Sequence, residues 1–166
     1  MGATTVMTLY AEKDDIETLE QVFKKYPEKN YSLVHFQNLP DALDNLSENH
    51  FDTVIITENR QSAALVDVYR ILHHSMPEIP IVILAENRND SAVQQVIFEG
   101  ADDIVTRMEL EFRIVDRVVQ YAIKTKKQKE QIRRLLFTIE QIPASILIID
   151  AAGVIDYVNS RFTEIT

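Results

Sequence analysis

The hydrophobic positions along the chain alternate between a strand-like and a helix-like spacing. TTVMTLYA (4–11) is a β-branched, apolar run, and EKDDIETLEQVFKKY after it places Ile16, Leu19, Val22 and Phe23 on one helical face. Asp14 and Glu17 stand at the spacing of a capping box, with Asp14 as the expected helix cap. YSLVHF (31–36) predicts a second strand, and residues 39–49 a short helix that buries Leu39, Ala42, Leu43 and Leu46. TVIIT (53–57) predicts a third strand, followed by a helix through Leu65, Val68, Tyr69 and Leu72. IPIVILA (79–85) predicts the fourth strand. Asp90 or Ser91 then caps a helix through Val93, Val96, Ile97 and Phe98 that stops at Gly100. DDIVT (102–106) predicts the fifth strand, and a long helix starts near Glu109.

Five strand–helix alternations in this length predict an α/β fold with a doubly wound parallel sheet covered by helices on both faces. The third and fourth strands are continuous apolar runs, as strands buried on both sides should be. In such folds ligands meet the C-terminal ends of the strands, which here are residues 11–15, 57–59, 85–87 and 106–108.

Composition narrows the chemistry. A hydrophobic content of 46% supports a core, and no apolar run approaches the length of a membrane span. The absence of cysteine excludes thiolate metal sites and cysteine nucleophiles, and a cytoplasmic protein is expected. Only Gly2, Gly100 and Gly153 are glycines, so no glycine-rich phosphate loop and no nucleophile elbow exists. The net charge is −9, yet residues 113–134 hold eight Lys/Arg against Asp116 and Glu130. The rest is strongly acidic, which argues against nucleic-acid binding, and the basic stretch reads as a solvated helix face. The four histidines, His35, His50, His73 and His74, have no metal-clamp or dyad spacing and are expected at surfaces or helix ends.

The stretch EGADDIVTRMELEFRIVDRVVQYAIKTKK (99–127) resembles the end of response-regulator receiver domains, where G-A-D-D leads through a strand to a Lys-Pro and the last helix. LYAEKDD resembles that family's first strand and acidic corner, FDTVIIT the strand that ends in the phosphoacceptor aspartate, and IPIVILA the strand that ends in Ser or Thr. The resemblance covers residues 5 to 124. It implies a five-stranded flavodoxin-like sheet in the order 2-1-3-4-5 with an extended C-terminal helix. It also implies chemistry in which acids after strands one and three bind Mg²⁺ and an aspartate takes a phosphoryl group.

Carried over residue by residue, the pattern breaks. Glu12 matches the first acid, but Lys13 stands at the second, Thr57 at the phosphoacceptor, Ala85 at the hydroxyl, Arg107 at the lysine and Ile104 at the aromatic switch position. A cation at Lys13 would repel Mg²⁺ and satisfy Glu12 or Glu58. A threonine without a base is a poor nucleophile. The expectation is a receiver-like domain that is not phosphorylated, with no catalytic residue, metal or cofactor. The other reading is an active phosphoacceptor that uses Glu58 or Thr57 in a non-standard Mg²⁺ site. Glu58, one residue on, faces the opposite side of its strand.

From Ile114 the last helix carries a 4-3 repeat through Val118, Tyr121, Thr125, Gln128, Ile132, Leu135, Ile139 and Ile142. This is a coiled-coil seam: Ile114 to Tyr121 are expected to pack on the chain's own sheet, whereas Ile132 to Ile142 lie beyond it and predict a parallel homodimer, with residues 125–142 as a signalling helix after a receiver-like domain of residues 1–124. ASILIIDAAGVIDYVNSRFTEIT (144–166) resembles the opening of a PAS sensory domain: a strand, a D-x-x-G turn, a strand ending in V-N, and a helix. The resemblance implies a truncated PAS start over residues 143–166 of a longer sensor protein. The output domain, histidine kinase or cyclic-dinucleotide enzyme, would lie outside these residues.

Overall fold

Thr4–Leu9 (β1), Tyr31–Phe36 (β2), Thr53–Thr57 (β3), Ile81–Ala85 (β4) and Asp103–Thr106 (β5) form one parallel sheet in the order β2-β1-β3-β4-β5. The computed structural model describes residues 3–58 and 65–165; Asn59, one of the strand-tip positions, lies outside them. The connecting helices are Lys13–Lys24 (α1), Leu39–Glu48 (α2), Leu65–Ser75 (α3) and Ser91–Phe98 (α4), and Phe112–Gln141 (α5) follows β5. The chain divides after Lys126 into two compact units. In the second, Leu147–Ile149 (β6) and Ile155–Val158 (β7) pair antiparallel, and Ser160–Ile165 (α6) follows.

Strand alternation splits the core of the first unit into two layers. Val54, Ile56, Ile81, Ile83 and Ile104 pack with Ala42 of α2, Leu72 of α3 and Val96 of α4. Ile55, Val82, Leu84 and Val105 pack on the other face with Leu19 of α1 and Val115 and Val119 of α5. The sheet is therefore apolar on both sides, as the continuous runs in β3 and β4 require.

Local chemistry sets the element ends. β1 stops two residues earlier than its composition suggests, because Tyr10 takes a left-handed φ of 61°. β4 begins only after Pro80, which has no N–H for the ladder but whose carbonyl accepts from Val54 N at 3.0 Å. α4 ends in a Schellman motif: Gly100 at φ 111° donates to Ile97 O, and Ala101 N donates to Val96 O, both at 3.0 Å. α5 begins at Phe112 instead of near Glu109, because residues Arg107–Glu109 form a 3-10 turn closed by a Thr106/Glu109 capping box.

One sequence expectation about a helix cap is corrected. Asp14 does not cap α1. Glu12 is the N-cap and closes the capping box with Asp15, whose Oδ2 accepts from Glu12 N at 3.4 Å. At the start of the seam repeat, Val118 is buried and Ile114 packs partly on the α1/α5 core layer. The sheet claims the first turns of the repeat. Tyr121 faces solvent, and so do Ile132, Leu135, Leu136 and Phe137 farther along.

Candidate functional site

The C-terminal tips of β1, β3, β4 and β5 bring the expected positions into one region. Thr57 ends β3 and pairs in register with Leu84, and its hydroxyl is buried without a hydrogen-bond partner among the described residues. By alternation it lies on the same side of the sheet as Ile55, the side covered by α1 and α5. Ala85 is fully buried in the opposite core layer and offers only a methyl group. Glu58 follows Thr57 just past the strand, and its Oε2 accepts from Glu86 N at 2.9 Å.

The acid that matters in this corner is Asp15. Its side chain is 6% exposed, and its two oxygens receive Arg107 Nε at 2.8 Å and Nη2 at 2.9 Å. The remaining guanidinium nitrogen, Nη1, donates to Glu86 Oε2 at 2.8 Å. These bonds, that from Asp15 above all, hold the Arg107 guanidinium above its ordinary value. A second cation reinforces the rim. Arg88 Nη2 donates to Glu109 Oε2 at 2.9 Å and to Ile104 O at 3.0 Å. Glu109 Oε2 also accepts from Thr106 N and Oγ1, and the Thr106 amide together with Arg88 holds its carboxyl below the usual range.

Lys13 takes no part. Its side chain is 87% exposed and, among the described residues, pairs with Glu17 at 3.7 Å on the helix surface. The charge balance expected of Lys13 falls to Arg107, and Glu12, the expected first acid, serves as the helix cap. Asp15 was legible as a carboxylate near the corner, and it is buried because it stands at helical spacing before Leu19 and Val22 on the inward face of α1. Glu86, Arg88 and Glu109 are charged loop residues with no motif; only the folded loops bring them together.

The second unit has a polar centre of its own. Asn159 is fully buried, accepts from Ile146 N at 2.9 Å and Phe162 N at 3.1 Å, and donates to Ala144 O at 2.9 Å. Glu140 accepts from the Tyr157 hydroxyl and, at 2.9 Å, from Ser160 N. The D-x-x-G turn is closed by Asp150 Oδ1, which accepts from Ala152 N at 2.8 Å and Val154 N at 2.9 Å. The V-N signature thus ends on the residue that joins the end of α5, the loop after it and α6.

No family model matches the sequence, and no curated protein matches it. Solved structures do match. The signal receiver domain of an HD domain-containing protein from Pseudomonas fluorescens aligns with a TM-score of 0.66 at 14% identity, over 79% of this chain and 94% of that one. The receiver domain of a sensor histidine kinase from Pseudomonas aeruginosa, solved with a magnesium ion in its active-site cleft, aligns with a TM-score of 0.62 at 11% identity. That alignment covers 74% of this chain and 99% of the other. The signal receiver domain of a signal transduction histidine kinase from Syntrophus aciditrophicus gives a TM-score of 0.59 at 19% identity, over 74% of this chain and 92% of that one. The five-stranded sheet in the order 2-1-3-4-5, with its helices, is the receiver fold.

Proposed function

We propose that the chain is a signalling module of two-component type whose receiver-like domain does not accept a phosphoryl group and relays its signal through α5. The single observation that carries this reading is the occupation of Asp15 by Arg107. The donors do not fit a divalent cation. Both oxygens of the buried Asp15 are spent on a guanidinium, Glu12 is engaged as a cap, and Lys13 contributes no carboxylate. Among the described residues no group of three or more potential ligands is placed to hold a metal. Thr57 has a hydroxyl where an acyl phosphate needs a carboxylate, and that hydroxyl is buried with no hydrogen-bond partner among the described residues. Glu58 is a carboxylate, but it is directed to the amide of Glu86.

In this reading residues 127–166 are the end of a signalling helix and the opening of a PAS domain. The hairpin, the Asp150–Gly153 turn and the Asn159 hub support it. The exposed Ile132, Leu135, Leu136 and Phe137 on a helix with heptad spacing support association of two such helices in parallel. Among the described residues no helix is long and apolar enough to cross a membrane. The deciding experiment is incubation with acetyl phosphate and Mg²⁺ followed by intact mass measurement. The mass is expected to stay unchanged. A phosphoryl adduct on Glu58 or Thr57 would establish the alternative of an active phosphoacceptor with a non-standard site.

A further inference from the structure

We propose that the loops after β4 and β5 form a charge-exchanged latch that makes the rim of the sheet and the start of α5 one mechanical piece. A displacement of residues 86–90 is then passed to α5 with no bound ligand. The inference rests on the reading of α5 as the relay and adds the route by which the relay is reached.

The two loops present opposite charge patterns at the same spacing: Glu86 and Arg88 after β4, Arg107 and Glu109 after β5. They pair crosswise. Arg107 Nη1 meets Glu86 Oε2 at 2.8 Å, and Arg88 Nη2 meets Glu109 Oε2 at 2.9 Å. Each loop therefore gives one cation and takes one, and neither can move away without breaking both pairs. The partners are also anchored behind the contact. Arg107 holds Asp15 of α1, Glu109 holds Thr106 at the end of β5, and Glu86 N is held by Glu58 at the end of β3. On the α4 side, Gln94 Nε2 donates to Arg88 O at 2.6 Å. Only Leu110 and Glu111 separate Glu109 from Phe112, the first residue of α5, which is buried in the core with Val115.

Exposed or half-exposed pairs are individually weak. The strength of this arrangement is that two of them and their backbone anchors must open together. Hydrogen exchange reads such coupling directly. The variants belong on the β4 side only: Glu86→Gln and Arg88→Gln leave the Arg107–Asp15 pair and the Thr106/Glu109 cap in place. The readout belongs on the β5 side, in the amides of residues 107–115 of the full chain.

The double variant is expected to speed exchange there about ten-fold, more than the two single variants combined, with β1 and β3 unchanged. Arg88→Lys, which keeps the charge, should retain most of the protection. Faster exchange confined to residues 86–90, with 107–115 at the wild-type rate, would show the loops to be independent and overturn the latch. The result is separable from phosphoryl acceptance: an adduct with acetyl phosphate would sink the preceding reading and leave the coupling measurement standing.

Discussion

Arg107 sets two nitrogens of its guanidinium on the two oxygens of Asp15, a fork on a carboxylate, in a corner where the acid is almost fully buried. A buried carboxylate without a partner is costly, so the pair is a structural commitment. Arg107→Ala is expected to destabilise the first unit by roughly 3 kcal/mol, because Asp15 is left charged and desolvated. Arg107→Lys should lose less, since it keeps the charge but not the two-point geometry. Urea unfolding of the full chain measures both. The double variant Asp15→Asn/Arg107→Ala should recover part of the loss, and a double variant no better than Arg107→Ala would show that the buried charge is not the cause.

The sheet was legible because its signals are redundant. β3 and β4 are β-branched and apolar throughout, Pro80 and Gly100 mark boundaries, and the D-D-I-V-T run fixes the last strand. The corner was less legible because its partner is remote. Position 15 stands at helical spacing before Leu19 and Val22, on the buried face of α1, but only the fold brings Arg107, 92 residues away in sequence, onto its carboxylate. Aspartate is the stronger cap by residue type, and α1 nevertheless starts from Glu12. The latch acids and bases are invisible to periodicity for the same reason: their partners come from another loop. The long helix is a different case: its first turns pack on the sheet because the apolar spacing from Ile114 to Val118 meets the α1/α5 layer, while the same spacing farther along names no partner.

Asn159 is the polar residue on which the second unit is closed. Its side chain satisfies two amides and a carbonyl around the junction of the α5 end, β6 and α6, and a small unit of one hairpin has little else to hold it. Asn159→Ala strands those groups and should cost roughly 2 kcal/mol locally. The expected result is loss of amide protection across residues 144–160, with the strands of the first unit unaffected. Retained protection over 144–160 would assign the closure to the Glu140–Tyr157 contact instead.

His35 gives the first unit a pH dependence near neutrality. Its Nδ1 lies 2.6 Å from the buried Thr8 hydroxyl, and its Nε2 lies 3.7 Å from Glu20 Oε1. Burial holds the imidazole below its ordinary 6.5, with Glu20 pulling the other way. A depressed histidine binds fewer protons folded than unfolded, so its stability contribution is present above 6.5 and is lost as the pH falls through the lower folded value. Unfolding midpoints should therefore fall between about pH 7.5 and about pH 5, and His35→Gln should flatten that window. Glu20→Gln should steepen it. The depressed Glu109 acts only below 4.5, so the two contributions separate along the pH axis.

α5 should divide functionally between its two ends. Val118 is 5% exposed and packs in the α1/α5 core layer, whereas Leu135 is 64% exposed on the helix beyond it. Val118→Ala removes buried methyl groups and should destabilise the first unit by roughly 1–2 kcal/mol without changing association. Leu135→Glu should leave that stability within about 0.5 kcal/mol of the parent, because the Leu135 side chain is exposed. If two chains pair along Ile132, Leu135 and Ile139, a glutamate at the centre of the seam places two like charges opposite each other and dissociates them. Sedimentation across a concentration series reads both variants. The expected pattern is a Val118→Ala dimer that unfolds early and a Leu135→Glu monomer that unfolds normally. A parent chain that is monomeric at the highest concentration would remove the parallel pairing from the proposal.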